Sequence, residues 1–131
     1  MKALSIRPPW SHAIAHLGKR IENRTWATRY RGPILIHASS TFVRSEFDEL
    51  ADILGYRVEP HECASGAIIA IANLLNCVPI ERVKHDPWAI GPIAWILDDV
   101  RVLRKPVRAH GKLGLWVPSA YTKSCSRESA A

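Results

Sequence analysis

Cysteine is scarce in this chain of 131 residues, and its three cysteines are scattered. Cys63, Cys77 and Cys125 form no CxxC pair, which argues against a disulfide framework and against a thiolate zinc site. No apolar run approaches the ~20 residues that a membrane span requires, and the first residues do not resemble a signal peptide. These features and the length predict one cytoplasmic domain with no membrane association.

Several motifs of common enzyme classes are also missing. The sequence has no GxGxxG, P-loop, HExxH or GxSxG pattern, which argues against the dinucleotide, nucleotide, zinc-protease and serine-hydrolase sites that these motifs build. His12 and His16 stand at a spacing that suits a metal on a helix, but no third ligand lies nearby in the sequence. We therefore predict no metal and no cofactor.

Positive charge is present in excess, with a formal net charge of +6 at pH 7. Part of this excess is concentrated between residues 18 and 31, where Glu22 is the single acid among the basic residues Lys19, Arg20, Arg24, Arg29 and Arg31. Clustered positive charge favours phosphate-bearing partners. A solvated basic face is the alternative interpretation.

The stretch from Lys19 to Trp26 alternates as a β-strand does. On a strand, Ile21, Asn23 and Thr25 would face one side, and the other side would carry Arg20, Glu22, Arg24 and Trp26. So much charge on one face requires partners or solvent. The pattern therefore fits either a pocket for a polar, planar ligand or a salt-bridged surface strand.

The remaining pattern predicts an α+β domain in which strands and helices follow the order β-α-β-β-α-β-β-β. The predicted strands cover about 3–7, 20–28, 34–38, 66–75, 93–103 and 113–117, and the helices about 10–17 and 43–54. Short strands with Gly and Pro turns favour a small, closed or nearly closed β-barrel of five to six strands with two flanking helices. We expect the domain to span residues 1–118 and residues 119–131 to form a flexible tail.

Three runs of the sequence resemble the ASCH domain family, which has a PUA-like fold. They are Ser5-Ile6-Arg7-Pro8-Pro9-Trp10, the stretch from Gly18 to Trp26, and the stretch from Gly32 to Ser39. Lys19, Glu22 and Arg24 match the charged positions of the family motif GxKxxExR. Leu17 occupies the glycine position of that motif, and Gly18 follows one residue later. Segments 86–92 and 111–116 resemble the family's closing segments.

The resemblance implies a cleft beside the barrel that holds RNA or a modified nucleoside. It also implies two possible hydrolytic activities, namely amide hydrolysis of N4-acetylcytidine and cleavage of RNA. Lys19 would then act as base or nucleophile activator, supported by Glu22 and Arg24. In the amidohydrolases of the family, however, a threonine stands where this chain has Glu22. A protein-interaction module with a basic face is the alternative function.

Eight further residues are candidates for contacts with nucleic acid or a nucleoside. The aromatic ones are Trp10, Trp26 and Trp88, whose rings can stack on a base. Packing in the core is the alternative for each of them. The polar ones are Ser5, Arg7, Arg20, His37 and Ser39. A structural role is the alternative for His37, which interrupts an apolar strand, and helix capping is the alternative for Ser39. Trp95 and Trp116 lie within strand patterns and are predicted to be core residues.

Overall fold

The computed structural model describes residues 1–119 and contains six strands and two α-helices. The strands are β1 (Lys2–Ile6), β2 (Ile21–Arg24), β3 (Gly32–Ala38), β4 (Ala67–Pro79), β5 (Ile93–Arg108) and β6 (Leu115–Trp116), and the helices are α1 (Trp10–His16) and α2 (Arg44–Leu54). Two short 3-10 turns cover Pro60–Glu62 and Ile80–Arg82. The predicted order of elements is confirmed. Residues 120–131, which make up nearly all of the predicted tail, lie outside the described part of the chain.

The six strands form one curled sheet in the order β2-β5-β4-β3-β1-β6. β1 and β3 run parallel, and every other neighbouring pair is antiparallel. The strand order leaves β2 and β6 at the two edges, so the sheet is a half-barrel. With its two helices, this arrangement confirms the predicted PUA-like α+β fold.

The core is built on the apolar strands at the middle of the sheet. β4 lies between β5 and β3, and its residues Ile68, Ala70, Ala72 and Leu74 are at most 1% exposed. Ala70, Ala72 and Leu74 pack in one apolar cluster and Ile68 in another, so the strand contacts two parts of the core, in keeping with its continuous apolar sequence. Trp95 and Trp116 are 0% and 7% exposed, which confirms the predicted burial of both.

Five of the six strands differ in length from their predictions. β3 begins at Gly32, β4 runs on to Pro79 and β6 covers only Leu115–Trp116, while β2 and β5 differ because of how they pair. β2 ends at Arg24 rather than near residue 28, since Arg24 pairs with Ile93, the first residue of β5. No partner strand continues beyond that position. β5 instead runs on to Arg108, because its second half pairs with β4. Asp99 in the middle of β5 has a φ of 46°, in the left-handed region, where the pairing register with β4 shifts between Asp98 and Arg101.

The helices cover the sheet with apolar side chains. α1 buries Ala13 and Ile14, and α2 buries Phe47 and Leu50. Gly55 ends α2 with a φ of 81°, the left-handed conformation that glycine adopts at helix ends. Within residues 1–119, neither helix combines the length and the hydropathy that crossing a membrane requires.

Candidate functional site

A tight turn between α1 and β2 sets the position of Lys19. Gly18 has a φ of 77°, and the Lys19 amide donates to the Ala13 carbonyl at 3.1 Å. The left-handed turn that glycine permits thus folds the chain back onto α1. Glycine fills the turn although it stands one residue after the position that the family motif assigns to it.

Lys19 is a buried ammonium with several partners. Its side chain is 2% exposed, and Nζ donates to Glu22 Oε1 at 3.0 Å and to the Ile21 carbonyl oxygen. Nζ also lies 5.9 Å from the centre of the Trp10 ring, within range of a cation–π contact. A buried charge needs such partners. Lys19 therefore lies behind the site surface, bound to it through Glu22.

Glu22 joins two cations at the floor of the site. Its second oxygen, Oε2, lies 3.1 Å from Arg24 Nε and forms an ion pair with it. The two groups are not aligned for a hydrogen bond, and Nε has no hydrogen-bond partner among the described residues. Arg24 is fixed further by a 2.8 Å hydrogen bond from Nη2 to the Ser5 carbonyl. The Glu22 side chain is only 9% exposed. The three motif residues thus form one chain, Lys19–Glu22–Arg24, which we call the triad.

The triad borders a cleft of about 370 Å³, which we call the triad cleft. Its lining includes both charged and apolar side chains: Ser5, Ile6, Arg7, Trp10, Glu22, Asn23, Arg24, Glu46, Glu49, Ile90 and Leu113. Arg7 Nε and Nη2 donate to the two oxygens of Glu46 at 3.0 and 2.5 Å. This hydrogen bonding raises the pKa of Arg7. Two arginines face three carboxylates in the lining, so the triad cleft is not a basic surface.

Six residues of the triad cleft were not predicted from the sequence: Ile6, Asn23, Glu46, Glu49, Ile90 and Leu113. Asn23 positions one wall, because Nδ2 donates to the Trp88 carbonyl and Oδ1 accepts from the amides of Ile90 and Gly91, all at 2.9–3.0 Å. Ile90 and Leu113 are 60% and 99% exposed. Asn23 stands within the triad's own stretch, and Ile6, Ile90 and Leu113 lie in segments that resemble the family, so each had a signal in the sequence. Glu46 and Glu49 on α2 carried none.

The predicted aromatic candidates divide between cleft and core. Trp10 lines the triad cleft and also packs against the core. Trp26 lies beyond the end of β2 and packs edge-on against Trp95, with ring centres 4.8 Å apart. Trp88 is 9% exposed and belongs to the core cluster under α2. Of the three, only Trp10 borders the triad cleft.

Arg20 is held by backbone and stands outside the triad cleft. Its Nη1 donates to the carbonyls of Ile14 and Lys19 at 3.0 and 3.1 Å. These bonds fix the start of β2 against the end of α1. Arg20 therefore contributes to the turn that buries Lys19.

His37 joins the triad cleft to a second cleft. Its Nε2 donates to the Ala109 carbonyl at 2.6 Å, so Nδ1 is the acceptor for the Ser5 hydroxyl at 3.0 Å. Ser5 Oγ in turn accepts from Trp116 Nε1 at 3.0 Å. Burial lowers the pKa of His37, against the opposite effect of the Ala109 hydrogen bond. The His37 ring is thus neutral, both of its nitrogens are hydrogen-bonded, and it forms part of the cleft wall.

The second cleft has a volume of about 670 Å³, and we call it the basic cleft. His37 and Ser39, two of the predicted residues, line it together with Ser40, Gly66 and the segment from Arg108 to Leu113. No acidic side chain is among these lining residues. Leu113 lines both clefts, so the two are neighbours.

No metal centre is built by the described residues. Nowhere in residues 1–119 do three or more His, Cys, Asp or Glu side chains approach closely enough to hold an ion. His12 and His16 do meet on α1, with ring centres 4.9 Å apart. Burial lowers the pKa of His12, and the neighbouring His16 adds to that effect.

Comparison with known proteins agrees with this architecture. The family model of the ASCH domain matches residues 4–107. Over 88 residues the chain is 31% identical to human activating signal cointegrator 1; the match covers 63% of this chain but only 15% of that protein. The crystal structure of ASCH from Zymomonas mobilis superimposes with a TM-score of 0.64 at 14% identity, covering 99% of this chain and 95% of that one. At that identity the likeness concerns the fold alone.

Proposed function

The chain belongs to the ASCH family, and we propose that it binds RNA or a modified nucleoside, with one base held in the triad cleft. The observation that carries the proposal is the Glu22 carboxylate, fixed between Lys19 and Arg24 at the border of a concave site. Membership of the family and the partial similarity to activating signal cointegrator 1 support an RNA-associated role.

The triad cleft suits an uncharged, planar group better than a phosphate. Its carboxylates slightly outnumber its arginines, so phosphate groups would meet repulsion there. A carboxylate accepts hydrogen bonds from exocyclic amino groups, as Glu and Asp do with the N4 amine of cytosine. The partly exposed Trp10 ring offers an apolar surface on the same site, and base–aromatic stacking contributes roughly 1–3 kcal/mol.

The direct test titrates the protein with cytidine, N4-acetylcytidine and a short single-stranded RNA at low salt. We expect Glu22→Gln to weaken nucleoside binding by about tenfold or more, since a charge-assisted hydrogen bond contributes ~1.5–3 kcal/mol. Glu49→Gln is the charge-matched control, because Glu49 stands at the same cleft but is exposed. Equal losses of affinity in both variants would mean that binding depends on the total negative charge of the cleft and not on the Glu22 carboxylate in particular.

A second variant protects the test against a loss of folding in Glu22→Gln. Ile90 is 60% exposed, so Ile90→Glu leaves the core intact while replacing an apolar side chain of the cleft wall by a charged one. We expect it to abolish nucleoside binding, whereas Leu75→Glu, at a residue of 48% exposure on β4, leaves binding unchanged. A wild type that binds neither nucleoside nor RNA would refute the proposal and favour the protein-interaction module.

Amide hydrolysis of an N4-acylated cytidine is the second candidate function. The observation that favours it is the contact between a buried ammonium and a carboxylate at the cleft, 3.0 Å from Lys19 Nζ to Glu22 Oε1. Glu22 would take a proton from the attacking water, a C–O bond would form at the acyl carbon, and the C–N bond would break as the amine regains a proton. Acetate and cytidine would be the products.

This second candidate has its own measurement. The wild type is incubated with N4-acetylcytidine and with a structured RNA, and acetate release and strand scission are followed separately. Lys19→Met removes the ammonium while keeping the side-chain volume, and we expect it to abolish turnover if the amine takes part. Binding without acetate release or scission would exclude both hydrolytic activities and leave the binding function standing.

A further inference from the structure

We propose that the basic cleft binds backbone phosphates of the RNA strand whose base occupies the triad cleft. This inference rests on the proposed function, because it assigns a second subsite to the same ligand. The basic cleft is the larger of the two, about 670 Å³ against about 370 Å³. It also differs in charge, and that difference decides which part of the ligand each cleft takes.

The charge of the basic cleft comes from Arg108 and Lys112. Both are exposed, and neither makes an ion pair or a side-chain hydrogen bond within the described residues. Their surroundings reinforce them, because residues 100–112 contain five basic residues and no acid. In the triad cleft, by contrast, Arg7 and Arg24 are both paired with carboxylates. Basic side chains without a carboxylate partner are the ones available to bind phosphate groups.

Neutral donors complete the basic cleft. The hydroxyls of Ser39 and Ser40 line it beside Gly66. A Cβ on Gly66 would lie 3.1 Å from Ser40 Oγ, so glycine keeps this wall open. Hydroxyl and backbone groups commonly contact phosphate oxygens in nucleic-acid complexes. The mixture of two free cations and small polar groups is the composition that a phosphate site requires.

The segment that carries Arg108 and Lys112 is held rigidly. Ala109 accepts the His37 hydrogen bond, and its amide donates to the Gly66 carbonyl at 3.2 Å. Gly111 packs so closely that an added Cβ would stand 2.6 Å from Ser5 Oγ and 2.8 Å from His37 Cε1. A site whose walls are fixed before binding loses less entropy when the ligand arrives.

The two clefts are also connected. Leu113 forms part of both linings, and Ser5, which lines the triad cleft, is hydrogen-bonded to His37, which lines the basic cleft. A strand can therefore pass Leu113 with a base on one side and phosphates on the other. A free nucleoside would use the triad cleft alone.

The test measures RNA and nucleoside binding with two double variants of equal charge change. Arg108→Ala/Lys112→Ala removes the cations of the basic cleft. Arg104→Ala/Lys105→Ala removes two exposed cations of β5 that do not line it. Affinity for a fluorescein-labelled single-stranded RNA is measured by anisotropy at several salt concentrations, and cytidine binding is measured by calorimetry.

We expect Arg108→Ala/Lys112→Ala to weaken RNA binding by about tenfold or more at low salt. The slope of log affinity against log salt should fall by about 1.4, since each phosphate contact in a single strand contributes ~0.7. Cytidine binding should stay unchanged. The control Arg104→Ala/Lys105→Ala should keep most of the wild-type slope.

The outcomes separate the two proposals. If the wild type binds RNA and cytidine but the two double variants lose affinity equally, the charge acts diffusely and the phosphate subsite is refuted while the base site survives. An unchanged slope in Arg108→Ala/Lys112→Ala refutes it as well. If inorganic phosphate alone shifts the amide resonances of Gly66 and Gly111 but RNA does not bind, the cleft is an anion site unrelated to RNA. A wild type that binds no RNA and no nucleoside refutes the proposed function itself.

Discussion

The buried pair of Lys19 and Glu22 allows a prediction that tests how the site is held together. Glu22→Gln keeps the shape of the side chain but leaves the Lys19 ammonium, 2% exposed, without its counter-charge. Removing one partner of a buried ion pair costs about 3–5 kcal/mol of unfolding free energy. Lys19→Met should cost less, about 1–3 kcal/mol, because Glu22 then still lies 3.1 Å from Arg24 Nε.

The double variant Lys19→Met/Glu22→Gln reveals the coupling between the two residues. It leaves no unpaired lysine charge in the interior, so we expect it to be more stable than the sum of the single losses by at least ~1 kcal/mol. Urea unfolding followed by tryptophan fluorescence gives the four free energies of the cycle.

The exposed ion pair between Arg57 and Asp48 supplies the control cycle. Its side chains are 48% and 54% exposed, and such pairs contribute only about 0–1 kcal/mol. Arg57→Met and Asp48→Asn should therefore combine almost additively. If the Lys19 and Glu22 losses are also additive within ~0.5 kcal/mol, the two groups do not depend on each other, and the triad would not be an energetic unit.

Three further predictions concern the packing and titration of single residues. Gly111→Ala should cost about 1–3 kcal/mol of unfolding free energy by overpacking, since its Cβ would meet Ser5 Oγ at 2.6 Å; Leu113→Ala at the exposed neighbour is the control, and equal urea midpoints would contradict the close approach. Because the pKa of His37 is lowered on folding, the stability that depends on its neutral ring is present above about pH 6.5 and declines as the pH falls toward the folded pKa; His37→Gln should flatten that decline in urea unfolding, and an unchanged pH profile would refute it. Burial, with a smaller effect from Glu62, raises the pKa of Cys63 to about 11, so the native thiol should be alkylated at about pH 8 at least ~100-fold more slowly than in urea, as peptide-resolved mass spectrometry can measure; equal rates would place the thiol in contact with solvent.

The elements of the fold were predictable from the sequence because their signals are local. The sequence pattern predicted a strand at about 66–75 and a helix at about 43–54, and the structure has β4 and α2 there. The length of β2 was not predictable, since it ends where its partner β5 begins. Strand pairing joins residues that are far apart in the chain, and alternation in one strand carries no information about where its neighbour starts.

The charged residues of the candidate site could be predicted from the sequence, but the burial of Lys19 could not. Alternation and the family resemblance selected Lys19, Glu22 and Arg24, but neither indicated that Lys19 would be buried behind Glu22. The walls of the triad cleft depend on hydrogen bonds such as those of Asn23 to residues 65 to 68 positions away. The five basic residues without an acid in 100–112 were visible in the sequence. The sequence did not show that two of them, Arg108 and Lys112, line the same cleft as His37.

The ammonium of Lys19 is not a free catalytic amine, because it is paired with Glu22. Its carboxylate accepts a hydrogen bond from Nζ, and the Ile21 carbonyl accepts another, so the lysine donates to groups of the adjoining strand β2. A threonine at this position, which the family resemblance implies for the amidohydrolases, would offer a hydroxyl with no charge to pair with the lysine. Under the proposed function, the carboxylate is therefore the group that the triad presents to a ligand. Lys19 and Arg24 fix it in place, which favours recognition of a base by Glu22 over attack by Lys19.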